Sequence, residues 1–105
     1  MDGITPQDLK ARLDRNERPL LLDVRQDWET RLCRLENSVH IPIEEIEVRT
    51  DELNPEDEIV VCCHQGVRSA AVVEYLRSLG FKNVKNLVGG LDHWARTIDP
   101  SMRRY

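Results

Sequence analysis

An α/β domain on a parallel sheet is the fold class that the sequence predicts, on three observations. Short blocks such as Leu20-Leu21-Leu22-Asp23-Val24 and Ile59-Val60-Val61-Cys62 are continuous apolar runs, as in strands buried on both faces. Amphipathic stretches of helical character lie between such blocks. The two kinds alternate along the chain, which is the pattern of βα units. It implies a mainly parallel central sheet of about five strands with helices on both faces. At 105 residues the chain suits one domain over 1–105, burying roughly two thirds of its unfolded surface.

The first helix starts at Thr5, with Thr at the N-cap, Pro6 at the first helical position and Asp8 in the first turn. Leu9, Ala11 and Leu13 carry it to about Asn16. Pro19 precedes the strand Leu20 to Val24, and Asp27 to Leu32 reads as a short helix. Val39-His40-Ile41-Pro42 is a strand closed by proline, followed by an acidic helix from about Glu44 to Leu53. Ile59 to Cys62 is a strand, and the helix beginning around Arg68 has Ala70, Val73, Tyr75, Leu76 and Leu79 as its apolar stripe. Gly80 falls where a glycine should end that helix, with Phe81 behind it. Val84 to Val88 is a strand, Gly89-Gly90 a turn, and Leu91 to Ile98 the last helix. Trp28, Phe81 and Trp94 read as packing residues.

Composition excludes several functions. A net charge of −4 argues against non-specific nucleic-acid binding, which needs a basic surface. No apolar run reaches the length of a membrane span and no signal peptide opens the chain, so a cytoplasmic protein without a membrane partner is expected. The three cysteines, Cys33, Cys62 and Cys63, form neither a disulfide framework nor a C-x-x-C pair. With His40, His64 and His93 they make no zinc spacing, so neither metal nor cofactor is expected. Charge is uneven: residues 1–60 carry a net −8, whereas residues 61–105 carry +4. The second segment is therefore suited to handling an anion.

Cys63 lies where that handling would occur, directly after an apolar strand and before a helix, at the end of a parallel sheet where ligands bind. The loop His64-Gln65-Gly66-Val67-Arg68-Ser69 can curl so that its N–H groups converge, with Gly66 supplying the freedom in φ. The helix N-terminus, Arg68 and His64 add positive charge, which favours the thiolate form of Cys63. Ser69 reads equally as a helix cap or as a partner of the thiolate. Cys62, one residue out of phase, is expected buried and inert, and Cys33 half-buried. Protein tyrosine phosphatases space Cys and Arg by five residues; here Arg68 comes after four, a tighter loop that favours a sulfur atom over a full phosphate.

At this point the sequence resembles the rhodanese family of sulfurtransferases. The likeness rests on Leu21-Leu22-Asp23-Val24-Arg25 with Trp28-Glu29, on His40-Ile41-Pro42, and on Val60-Val61-Cys62-Cys63-His64-Gln65-Gly66-Val67-Arg68-Ser69-Ala70. Tyr75-Leu76, Gly80-Phe81, Asn83-Val84 and Leu87-Val88-Gly89-Gly90-Leu91 through Trp94 extend it over nearly the whole chain. One stretch departs. Where the family often has Gly-His-Ile and Gly-Ala, this chain has Cys33-Arg34-Leu35-Glu36-Asn37-Ser38. Residues Ile98 to Tyr105 resemble the tail of rhodanese domains fused to enzymes that activate ubiquitin-like sulfur carriers.

The resemblance implies a single rhodanese-like domain with Cys63 as nucleophile. It further implies that His64, Gln65, Gly66, Val67, Arg68 and Ser69 bind the substrate, and that Asp23 and Arg25 brace the loop by hydrogen bonds and charge pairing. The implied partners are thiosulfate or another small sulfane-sulfur donor, and a thiol or sulfur-carrier acceptor. Two alternatives stand beside this reading: a non-catalytic sulfur-relay or interaction module, and a small cysteine-dependent phosphatase or arsenate reductase.

Overall fold

Neither of the two apolar runs can offer a polar face to water, and both end in the middle of the sheet. The protein is described by a computed structural model covering residues 2–105. In it β2 (Leu20–Asp23) and β4 (Glu58–Cys62) run parallel, with Leu22 opposite Val61 and Asp23 opposite Cys62. β5 (Asn83–Leu87) lies on the other side of β4; β1 (Gly3–Ile4) and β3 (Val39–His40) form the edges, in the order β1-β5-β4-β2-β3. Every pairing is parallel, as expected.

Two cores sit on the two faces. One, beneath α4 (Val67–Ser78), holds Leu22, Val61, Cys63, Val72, Leu76 and Phe81. The other, beneath α1 (Pro6–Asp14) and α5 (Gly90–Thr97), holds Leu9, Leu21, Val60, Cys62, Leu91 and Trp94. Because successive side chains of a strand alternate, adjacent Cys62 and Cys63 enter opposite cores. The connections from β2 and β4 run toward opposite edges, which opens a crevice at their carboxyl ends. Asp23 ends one of these strands and Cys63 follows the other.

Local departures from expectation have local causes. The strand β1 has only two residues and exists through its pairing with Asn86 and Leu87, so nothing in its own residues announces it. Helix α1 ends at Asp14 rather than about Asn16, which adopts a left-handed φ of 64°. The acidic helix expected over 44–53 shrinks to α3 (Ile46–Arg49) between tight turns at 43–45 and 50–52. Ile43, Ile46, Val48 and Thr50 are β-branched, and the acids at 44, 45, 47, 51 and 52 repel one another along a continuous helix. β3 stops at His40; Ile41 still donates to the Asp23 carbonyl, but Pro42 has no N–H to continue the ladder.

The buried stripe of α4 also differs from the one expected. It consists of Ser69, Val72, Val73 and Leu76, a spacing of i, i+3, i+4, i+7, while Ala70 is exposed and Leu79 is 49% exposed. The stripe begins on a polar residue, Ser69, and this conceals its register in the sequence. Gly80, at φ 96°, closes the helix: its N–H reaches the Arg77 carbonyl at 3.0 Å, and the N–H of Phe81 reaches that of Leu76 at 3.1 Å. Phe81 and Trp94 are buried as packing residues, but Trp28 is 56% exposed.

Cys62 is fully enclosed, and burial pushes its thiol well above the ordinary cysteine range. In the native protein at pH 8 Cys62 should therefore resist iodoacetamide and react only after denaturation, as followed by mass mapping of its peptide.

Candidate active site

The residues after β4 turn back on the Cys63 sulfur. Its Sγ accepts the N–H of Gly66 at 3.1 Å and that of Ser69 at 3.4 Å, and lies 3.2 Å from the Ser69 hydroxyl. Ser69 is the third residue of α4, so its N–H is one of the groups that a helix leaves without an internal partner. The sulfur thus occupies the place of a capping oxygen. Gly66, at φ 98°, supplies the left-handed residue that the curl needs.

Loop carbonyls are turned away by equally specific contacts. The first turn of α5 donates from Leu91 to the Cys63 carbonyl and from Asp92 to the His64 carbonyl, both at 2.9 Å. Gly89 and Gly90 have φ of 76° and 63°, and a Cβ on Gly90 would collide with both of those carbonyls. Asn86 of β5 donates from Nδ2 to the Gly66 carbonyl at 3.1 Å and accepts from the Ser69 hydroxyl through Oδ1.

The predicted residues divide by position. Cys63, Gly66 and Ser69 meet at the sulfur. Gln65 is exposed, and Val67 is 77% exposed on the loop. His64 is half-buried, its ring stacked on Tyr105 at 4.0 Å, and its Nε2 is buried without a hydrogen-bond partner. Arg68 is not the free cation anticipated for an anion: its two terminal nitrogens grip the oxygens of Glu29 at 2.7 and 2.8 Å. Glu29 sits in the first turn of α2 (Asp27–Leu32), where its Oε1 also accepts the Gln26 N–H at 2.9 Å.

Asp23 and Arg25 form a fully buried ion pair, with 2.7 Å between Nη2 and Oδ2. Arg25 spends its remaining donors on the carbonyls of Glu29 and Cys33 and on the Tyr105 hydroxyl. Burial opposes its charge, but hydrogen bonds to Asp23 and Tyr105 outweigh that and hold the guanidinium charged. The expectation is that the pair braces the loop by hydrogen bonds and charge pairing; in the structure it reaches the loop through other residues. Tyr105 accepts from Arg25 at 3.0 Å and donates to Glu29 at 2.8 Å, and Glu29 holds Arg68. Burial pushes the Tyr105 phenol up, so it stays a neutral donor. Cys33, half-buried as anticipated, closes α2 beside Arg25.

Four contributors escaped notice as site residues. Beyond its place in the family likeness, Glu29 carries a local signal, an acid in a helix's first turn, and so does Gly90, a Gly-Gly pair before a helix. Asn86 and Tyr105 had none, because strand pairing and chain return bring them to the loop. Among the described residues, no group of three or more His, Cys, Asp or Glu side chains is placed to hold a metal, and no helix is long and apolar enough to cross a membrane.

A parallel α/β fold whose central strand is followed directly by a cysteine that accepts two loop N–H groups defines a cysteine-loop protein. The chain belongs to the rhodanese family: residues 5–97 match the Rhodanese-like domain. A Bacillus subtilis protein, YrkF, provisionally called a sulfur carrier protein, is 38% identical over 91 residues, covering 87% of this chain and 49% of that one. A sulfurtransferase of Allochromatium vinosum is 32% identical, with 91% of this chain and 90% of the relative covered. The crystal structure of a rhodanese-like domain protein from Staphylococcus aureus superposes with a TM-score of 0.87 at 32% identity, covering 100% of this chain and 99% of the other. The chain spans about a quarter of the length of several other curated relatives.

Two predictions follow the geometry. Hydrogen bonds from Arg68 hold the Glu29 carboxyl down at about 2, against the desolvating effect of burial. A lowered carboxylate contributes stability above its ordinary value of 4.5 and loses it as pH falls through about 2. Glu29→Gln should therefore be less stable than the parent by about 2 kcal/mol at neutral pH, with the gap closing in acid, as read by urea unfolding across pH. Gly90→Ala should cost about 1–3 kcal/mol in thermal unfolding, because a side chain there meets two fixed carbonyls at positive φ.

Proposed function

We propose that the protein is a sulfurtransferase that moves sulfane sulfur from thiosulfate, or a related small donor, to a thiophilic acceptor through a persulfide on Cys63. The observation that carries this reading is the convergence of the Gly66 N–H at 3.1 Å and the Ser69 N–H at 3.4 Å on one sulfur. Donors so arranged favour an anionic sulfur, as does the N-terminus of α4. Membership of a family whose members include a named sulfurtransferase supports the same chemistry.

In the first step the Cys63 thiolate attacks the outer sulfur of thiosulfate. A bond forms between the two sulfurs, the bond to the sulfonate sulfur breaks, and sulfite leaves with its electron pair. In the second, a thiolate or cyanide acceptor attacks the outer sulfur of the persulfide, and the Cys63 thiolate leaves. The two half-reactions share one covalent intermediate and give ping-pong kinetics. At 1% exposure Cys63 receives a donor only when neighbouring side chains move aside; Gln65 and Val67, exposed on the loop, and His64 are the loop residues that a donor would meet. Arg68 fixes the loop's exit to α2 and meets the donor only by leaving Glu29.

The name of the YrkF relative favours a second reading, a relay whose donor and acceptor are both proteins. After thiosulfate treatment the sulfurtransferase reading expects one added sulfur atom on the Cys63 peptide by mass spectrometry. Cys63→Ser should lose that adduct and at least about a hundredfold of thiocyanate formation from thiosulfate and cyanide. A variant turning over at the parent rate overturns the assignment. Negligible turnover by the parent, with a persulfide accepted from a sulfur-loaded protein, selects the relay.

A further inference from the structure

The Ser69 hydroxyl touches two partners but owns one hydrogen. Its Oγ lies 3.2 Å from Cys63 Sγ and is bonded to Asn86 Oδ1. The orientation of the Asn86 amide follows from its other end: Nδ2 meets the Gly66 carbonyl at 3.1 Å, and the flipped amide would oppose two acceptors there. Oδ1 therefore faces Ser69. A carbonyl oxygen brings no hydrogen, so the hydrogen between these two residues is the hydroxyl's. Ser69 is 0% exposed and has no access to solvent in this arrangement.

With its hydrogen given to Asn86, Ser69 can only accept from Cys63. The 3.2 Å contact is then S–H to Oγ, which requires a neutral thiol. A thiolate in the same place would face an oxygen lone pair. We propose that Asn86 is a positioning residue that competes with Cys63 for the Ser69 hydroxyl hydrogen, holding it while the cysteine is a thiol and yielding it when the thiolate forms. The thiol proton leaves to bulk water, the Ser69 hydroxyl turns to the sulfur, and the thiolate then has three donors. In the persulfide the charge moves to the outer sulfur, and the hydrogen returns to Asn86. Asn86 can act in this way because its backbone is pinned in the sheet between Gly3 of β1 and Val61 of β4.

This inference rests on Cys63 being the nucleophile, but its test needs no turnover. The other charged or titratable groups around the sulfur are Arg68 paired with Glu29, Asp23 paired with Arg25, His64 stacked on Tyr105, and Cys62. None of these residues is substituted in any variant. The rate of Cys63 alkylation by iodoacetamide, read by peptide mass mapping across pH, is compared in the parent, Asn86→Ala, Ser69→Ala and the double variant. Asn86→Ala frees the hydroxyl for the thiolate, so the alkylation midpoint moves to lower pH and the rate on its acid side rises about threefold to tenfold. Without Ser69 the same change leaves the midpoint where it was. An unchanged or raised midpoint in Asn86→Ala, or an equal shift with Ser69 absent, overturns the proposal. Should Asn86→Ala fail to fold, Asn86→Leu, of similar size and with no amide, takes its place in the same comparison. Loss of sulfur transfer in the parent would overturn the sulfurtransferase reading alone, whereas the midpoints decide the role of Asn86.

Discussion

A loop that curls its backbone N–H groups onto a sulfur atom turns its carbonyls outward, and those carbonyls need partners elsewhere. The loop after β4 meets that condition with three outside contacts. The first turn of α5 takes the carbonyls of Cys63 and His64, and the Asn86 side chain takes that of Gly66. Gly66, Gly89 and Gly90 make the curl and the close approach sterically possible. Cys63 then caps α4 in place of an oxygen side chain, and the helix that gives the sulfur its donors is itself completed by the sulfur. Two helices and one strand converge on four residues of the loop.

Charge reaches the site by a longer route than residue counts suggest. The acidic first part of the chain and the basic second part meet within one structure, in the Glu29–Arg68 pair. The anion that receives Arg68 here is the protein's own carboxylate. Behind it the buried Asp23–Arg25 pair is fully hydrogen-bonded, the condition under which such a pair can be kept away from water. Tyr105 joins the two pairs through its hydroxyl and covers the His64 ring with its own. The loop's positive character therefore comes more from N–H groups and a helix terminus than from a free guanidinium. Backbone dipoles, unlike a flexible arginine, cannot turn away.

Much of the fold was legible because its signals are local. Continuous apolar runs marked β2 and β4, a Thr-Pro start marked α1, and Gly80 ended α4. Over 43–52 acidic content reads as helix surface, whereas β-branching and like charge break the stretch into short turns. The stripe of α4 was displaced because its first buried residue, Ser69, is polar. At the site, Cys63, Gly66 and Ser69 were legible from their spacing after a strand. Asn86 and Tyr105 were not, since they lie at least 17 and 36 positions from those residues and only sheet pairing and chain return join them.

By itself, the sequence determined the sheet's central strands, the cysteine at the end of one, and the glycine that lets the following loop curl. Each follows from hydrophobic periodicity or from the φ of a single residue, which neighbours along the chain express. Tertiary structure decided what surrounds the sulfur: that Arg68 goes to Glu29, that α5 draws two carbonyls outward, and that Asn86 shares the Ser69 hydroxyl. Those choices depend on which side chains the packed sheet brings within hydrogen-bonding distance. Distance of that kind is set by strand order and register, not by spacing along the chain.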